Sequence, residues 1–357
     1  MSTNKIRFGK WFIIPFIGIF IFGITRLLIH YPQLAERYYS QKFYPALATV
    51  ISYLSSFVPF SIDDAFYLIL IISALIIIGL TIGGKVSVKR SALIILNVLF
   101  SVYILFYVLW GFNYFRVDIN NRLGLIEREA NQQEFMNVFN DLIASANETY
   151  TSYDIFKEEE IAKQIEESFS RLVPILKINY PGGRRRAKPV TFSGLFAQAG
   201  ISGYYGPFFN EIHINTKLLP VEFPFVLAHE KAHQFGITGE AEANFYAWLV
   251  CTQSESKQLQ YSANLIALRY FMVHGRDQEG YREAIKKIDK RVLEDIRRIY
   301  QHWQSLRNDK VEAVAERMND AYLKTNQVEK GIADYTGIVK HIMDFSLDTA
   351  FREKAGF

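Results

Sequence analysis

The residues with the clearest chemical signal are His229, Glu230 and His233, inside the stretch PFVLAHEKAHQFGITGEAEAN that runs from Pro224 to Asn244. Two histidines four apart on a helix lie one above the other on one face, so both imidazoles can reach a single metal ion. The glutamate between them faces a metal-bound water, which makes His229 and His233 expected metal ligands and Glu230 the expected catalytic base. Pro224 suits a first helical turn, and Gly236 stands where this helix must stop. Thr238 and Gly239 are candidate caps for a second helix, Glu240–Cys251, whose first turn offers Glu240 as third ligand. Asn244 shares a face with Glu240 and is expected to hydrogen-bond a ligating histidine. Glu242 is the alternative ligand, because the helix can begin at either residue. Two His and one Glu leave one zinc position open, the arrangement of a catalytic rather than a structural site. Zinc is the expected cofactor.

These side chains need elements to hold them. Upstream lie three strand-like pieces, Pro189–Phe192, Ile201–Gly206 and Glu211–Asn215, separated by glycines and Pro207. An unpaired edge in such a sheet would accept an extended peptide by strand addition. His213 alternates like a strand residue and is left out of the ligand set. Tyr204, Tyr205, Tyr261 and His274 are candidate donors to a tetrahedral oxyanion, Tyr205 foremost. Helical patterns cover Asn131–Tyr150, Lys157–Leu176, Asn264–Met272, Tyr281–Gln304 and Lys310–Tyr322. Arg184, Arg185, Arg186 and Lys188 are candidates for contact with lipid headgroups or for simple exposure, the latter preferred, and Cys251, the single cysteine, reads as a buried inert thiol.

Half of the 357 residues are hydrophobic, and the apolar content is concentrated before Arg116. Trp11–Ile29, Ala65–Gly84 and Ser91–Phe115 read as three transmembrane helices. This divides the chain into a membrane domain, 1–116, and a globular domain, 117–357. Lys5, Arg7 and Lys10 precede the first span, and Lys85, Lys89 and Arg90 fill the loop between the second and third. Both segments are therefore expected in the cytoplasm, which puts the Tyr31–Asp64 loop and everything after Phe115 outside it. Within that loop, Tyr38-Tyr39-Ser40 and Ala46–Phe60 suit an amphipathic helix at the interface. A net charge of +4, dispersed along the chain, gives no footing for nucleic acid.

His-Glu-x-x-His followed closely by Glu-x-x-Ala-Asn resembles the gluzincin metallopeptidases. Among them, the CAAX-prenyl-protease and heat-shock-membrane-protease group is similar in pairing a zinc helix with membrane spans, with Asp where this chain has Asn244. Membrane spans, Tyr38-Tyr39-Ser40, Gly203-Tyr204-Tyr205-Gly206-Pro207-Phe208 and then the zinc motif resemble an uncharacterised family of bacterial membrane proteins, domain of unknown function 3810, over about Tyr31 to Tyr335. The resemblance implies a zincin-like site. The expected fold is α+β: three N-terminal transmembrane helices, then a mostly helical zincin-like domain with a small β-sheet. The expected protein is a multi-pass cell-membrane zinc metallopeptidase with its C-terminal domain extracytoplasmic, acting on a peptide or protein substrate beside the lipid bilayer. The alternative is a non-catalytic membrane protein with a structural zinc or a partner-binding domain.

Overall fold

The computed structural model describes residues 8–355, so Lys5 and Arg7 lie outside the described residues. The chain begins with α1 (Ile13–His30), passes through a π-helical turn at Ala35–Phe43 into α2 (Tyr44–Ser55), and continues with α3 (Ile62–Ile82) and α4 (Val88–Leu109). Among the described residues, the helices at Gly9–His30, Ile62–Ile82 and Val88–Leu109 are long and apolar enough to cross a membrane. Beside them α2 and the turn after it leave Val50, Tyr53, Leu54 and Phe57 exposed.

Two of these helices end where hydropathy does not. α3 starts three residues before the apolar run, at an N-cap in which Ser61 Oγ accepts the Asp64 N–H at 2.8 Å. Asp63 and Asp64, in its first turn, are both buried against the globular part. α4 ends at Leu109, and residues Gly111–Phe115 tighten into a 3-10 turn whose Phe112 and Phe115 pack with Ile21, Leu28, Ala35 and Tyr107 instead of extending the span.

The rest of the chain is helical apart from one sheet. α5 (Gln132–Thr149) opens on a capping box between Asn131 and Glu134, and α6 (Glu158–Leu176) follows with three acidic residues in its first turn. The strands are β1 (Ala187–Pro189), β2 (Gly203–Gly206) and β3 (Glu211–Ile214), in the order β1-β3-β2. β1 runs parallel to β3, and β2 antiparallel to it with Gly203 opposite Ile214 and Gly206 opposite Glu211. β2 is thus an edge strand. After the sheet come α7 (Phe223–Gln234), α8 (Glu240–Thr252), α9 (Lys257–His274), α10 (Lys290–Leu306), α11 (Asp309–Thr325) and α12 (Ile338–Leu347). The helix expected over Tyr281–Gln304 breaks after Ile285, because Asp289 caps a new start by accepting the Arg291 N–H at 2.8 Å.

α7 and α8 form the centre of the core. Every α7 residue but Val226 is buried, and so is the whole run Ala243–Cys251 of α8. A helix closed in on all sides has no polar stripe, which is why neither segment shows a clean amphipathic period. Cys251 lies in this core, and burial pushes its thiol well above the ordinary range.

The basic cluster corrects the expectation of simple exposure. Arg184 and Arg186 are exposed, but Lys188 is 2% exposed and forms an ion pair with the equally buried Glu211. Its ammonium also donates to the Phe60 carbonyl at 2.8 Å. Glu211 in turn accepts the N–H groups of Ile62 at 2.8 Å and Asp63 at 3.2 Å, so its carboxylate sits on the positive end of α3. A buried charge needs partners, and here they come from the start of a helix apolar enough to cross a membrane.

Candidate metal centre

His229 and His233 project from adjacent turns of α7, and Glu240 from the first turn of α8. Among the described residues, these three form a buried group able to hold a metal ion. The His229 and His233 Nε2 atoms are 3.0 Å apart, and Glu240 Oε2 lies 3.2 Å from the first and 3.4 Å from the second. A tetrahedral ion with bonds of about 2.0–2.1 Å holds neighbouring ligand atoms about 3.3 Å apart, so one zinc fits this triangle. Nitrogen and carboxylate donors are the set that zinc accepts.

Hydrogen bonding and charge agree with that fit. His233 Nδ1 lies 2.7 Å from the Ile237 carbonyl, which places the proton on Nδ1 and leaves the Nε2 lone pair facing the group. Glu240 Oε2 and Glu230 Oε2 are buried without a hydrogen-bond partner. Burial works against the Glu240 anion, yet His233 and His229 outweigh it and hold the carboxyl well below its usual range. Burial likewise opposes the His233 cation, but Glu240 raises the imidazole to about 9. The field at this point favours positive charge.

Glu230 lies beside the group, on the side of the edge strand. Burial raises its carboxyl to about 7, against the pull of His229 and His233. Gly203 of β2 approaches it so closely that a Cβ there would stand 2.9 Å from Glu230 Oε1. The sheet, the general-base candidate and the metal group therefore meet at one place.

Glu242 turns away. It pairs with the buried Arg122 and lines a separate cavity with Asp118 and Asp334, so the geometry brings Glu240 and not Glu242 to the histidines. Asn244 departs from its expected role, because its Nδ2 donates to the Tyr335 carbonyl at 3.2 Å rather than to a histidine. His213 is outside the group, stacked 4.2 Å from the Tyr204 ring and 3.4 Å from Glu211.

None of the oxyanion candidates named from sequence has a hydroxyl or imidazole free to face the group. Tyr205 shares its hydroxyl with Tyr44 at 3.3 Å and Asn210 at 2.7 Å. Tyr204 is bound to Asp64, Tyr261 donates to Asp295 at 2.7 Å, and His274 packs on Phe135 at the end of α9. Tyr335, on the 3-10 turn Gly331–Gly337, is a further phenol in the field of Glu240, and burial first and then Glu240 push it well above its ordinary range.

Sequence reasoning also missed how α7 is closed. Its last carbonyls have no partner within the helix. Trp110 Nε1 donates to the His233 carbonyl at 3.0 Å, Tyr44 Oη to Gln234 at 2.7 Å, and Arg116 Nη1 to Gly236 at 3.1 Å. All three donors come from the first 116 residues, and nothing in their local sequence marks them as partners of a motif so far along the chain.

The chain matches the model of a family described as "Protein of unknown function (DUF3810)" over residues 39–343. It belongs to that family. The matched stretch includes the metal group, its capping donors and Tyr335. No curated protein and no solved structure matches the chain. The family carries no assigned activity, so the chemistry must be argued from the site itself.

Proposed function

We propose that this DUF3810 protein is a membrane-anchored zinc metallopeptidase. The observation that carries the reading is the convergence of His229, His233 and Glu240 within 3.0–3.4 Å beside a buried Glu230 whose outer oxygen has no partner. A structural zinc site closes all four positions with protein ligands and has no use for a neighbouring base.

His229, His233 and Glu240 would hold the zinc, which when bound acidifies a water and polarises a carbonyl. Glu230 accepts the water's proton and delivers it to the departing amine, and its raised pKa suits both transfers near neutrality. β2 offers its free edge to the substrate backbone, and Gly203 sets that edge against Glu230. We place this site outside the cytoplasm, on the face of the membrane opposite the Lys85–Arg90 loop.

The test is Glu230→Gln in the full-length chain, purified in detergent. The variant should keep one zinc per chain and lose hydrolysis of a mixed fluorogenic peptide library by at least about 10²-fold. An unchanged cleavage rate would sink the mechanism. Full zinc occupancy with no hydrolysis by the wild type would leave the non-catalytic reading in its place.

A further inference from the structure

We propose that α2 lies flat in the headgroup region of a bilayer, with its exposed apolar face among the lipids and the cations beside it on anionic phospholipid. The inference takes from the reading above only that α1 and α3 cross that bilayer, and it holds whatever the metal group does.

α2 is built inside out for a helix in water. Its side toward the protein carries Ala48, Ser52 and Ser55, all buried. The two hydroxyls are satisfied within the helix, Ser52 Oγ donating to the Ala48 carbonyl at 2.6 Å and Ser55 Oγ to that of Ser52 at 3.2 Å. The other side carries Val50, Tyr53 and Leu54, three and four apart, joined by Phe57 and Phe60 from the turn that follows. Leu54 is 62% exposed and Ser52 2%. A helix that faces water on one side turns its polar residues outward, and this one turns them in. A contiguous apolar patch of this kind marks a surface that something apolar covers.

Connectivity says what covers it. α2 stands between His30, the end of one helix apolar enough to cross a membrane, and Ile62, the start of the next. Two consecutive spans leave the segment between them on one face of the bilayer. Its 12 helical residues reach about 18 Å, too short for a hydrocarbon core of about 30 Å, so the helix runs along that face instead of entering it end-on. The side away from the lipid meets the metal helix, because Tyr44 Oη donates to the Gln234 carbonyl of α7 at 2.7 Å.

Cations frame the patch. Arg184 holds its guanidinium 5.8 Å from the centre of the Phe57 ring, and Arg186 is exposed two residues on. Their segment is set against α2 at Gly183, where φ is +92° and a Cβ would stand 3.3 Å from Thr49 Cγ2. At the start of α2, Arg37 and Lys42 hold their charges 5.5 and 5.9 Å from the exposed Tyr38 ring. Among the described residues none of these four cations pairs with a carboxylate, whereas Arg116, Arg185 and Lys188 nearby are taken by Glu36, Glu166 and Glu211. Unpaired cations around exposed aromatic and aliphatic side chains suit an interfacial segment that grips anionic headgroups.

The test uses the full-length chain in nanodiscs of equal parts phosphatidylcholine and phosphatidylglycerol. A fluorophore is placed on Leu54→Cys, on Ile72→Cys midway along α3, or on Ile155→Cys; all three positions are exposed, and the native Cys251 is buried and takes no label. Ile155 precedes α6, whose far end is tied to Gln41 through the Lys177 carbonyl, so a helix of 19 residues, about 28 Å, separates it from that end. Each label is read with trace lipid carrying a nitroxide at the head end or the tail end of its acyl chain. Ile72 should be quenched most by the tail-end nitroxide, Leu54 most by the head-end one, and Ile155 by neither. With the head-end nitroxide on one headgroup at a time, phosphatidylglycerol should quench Leu54 at least about twofold more than phosphatidylcholine, and the two should quench alike once Arg37→Gln, Lys42→Gln, Arg184→Gln and Arg186→Gln are combined. A Leu54 label quenched no more than Ile155, while Ile72 responds, overturns the inference alone and leaves a protein partner as the cover. Leu54 behaving like Ile72 overturns the flat placement. Equal quenching by the two headgroups in the wild type, or an excess that survives the four substitutions, overturns the role of the cations. An Ile72 label that no nitroxide reaches removes the spanning helices and this inference together.

Discussion

Lys231, between the two histidines of the motif, gives the sharpest test of the packing around the metal helix. Its ammonium is 2% exposed and is paired with Glu166 of α6, which also takes two bonds from Arg185, Nε at 3.1 Å and Nη2 at 2.8 Å. One carboxylate thus serves two buried cations. Glu166→Gln keeps the shape and removes the charge, leaving both cations uncompensated. Breaking a fully buried pair costs about 3–5 kcal/mol. Because the Glu166 side chain is itself 23% exposed, water recovers part of that, and about 2–3 kcal/mol is the expected loss. For a folded unit of this size that is a fall in Tm of roughly 4–12 °C, read by thermal melting in detergent. Adding Lys231→Met to the variant should restore part of the loss, since one unpaired charge is removed with it. The sign of the pH dependence follows from Glu166. Burial raises its pKa, but Lys231 and Arg185 more than reverse this and hold it below its ordinary 4.5. The pair's contribution is therefore complete above the unfolded value and is lost as pH falls toward the folded one, so the gap between wild type and variant narrows as pH falls below the ordinary 4.5 toward the depressed folded value. A Glu166→Gln protein that melts with wild type, or a double variant less stable than the single one, would refute the reasoning.

Two further predictions follow from the metal group. Glu240→Gln should lose stoichiometric zinc by elemental analysis, whereas Glu242→Gln should keep it and melt earlier, because Glu242 is the partner of the buried Arg122; the reverse pattern would exchange their roles. Gly236→Ala should destabilise the chain by about 1–3 kcal/mol in a denaturation experiment, since φ is +83° and a Cβ would stand 3.0–3.1 Å from Asn113 and Tyr44; a wild-type melt would contradict it.

The metal group was legible because its signal is local. Histidines four apart need only a helix to share a face, and Glu240 needs only the turn at Gly236 to come back toward them. The three apolar helices and the small sheet were legible for the same reason, through composition and alternation. What escaped notice depends on long-range pairing. Lys188 reads as a surface charge until β1 is laid beside β3 and Glu211 is seen across from it. The turn that carries Tyr335 follows no motif, and only the bonds from the Ala241 N–H to Asp334 and from Asn244 to the Tyr335 carbonyl show that it lies against α8. Asn244 itself was placed on the correct face and given the wrong partner, because position on a helix face says nothing about which neighbouring chain segment will cover it.

The donors on α7 bear on how separable the two parts of the chain are. Composition divides at Arg116, but the carbonyls of His233, Gln234 and Gly236 are closed by Trp110, Tyr44 and Arg116, from before that division. A buried carbonyl left without a donor costs about 1–3 kcal/mol, so a fragment lacking these residues would leave the Gln234 and Gly236 carbonyls unsatisfied, while that of His233 keeps the Gly236 N–H at 2.9 Å. The donors suit their place for a physical reason. Trp and Tyr each present an apolar ring with one polar atom, which lets them sit beside apolar helices and still reach a carbonyl. Of the aromatic run from Trp110 to Phe115, Trp110 works as a cap of α7. Trp110 directly follows α4 and holds the His233 carbonyl, so the candidate metal group is packed jointly by the apolar helices and the chain beyond them.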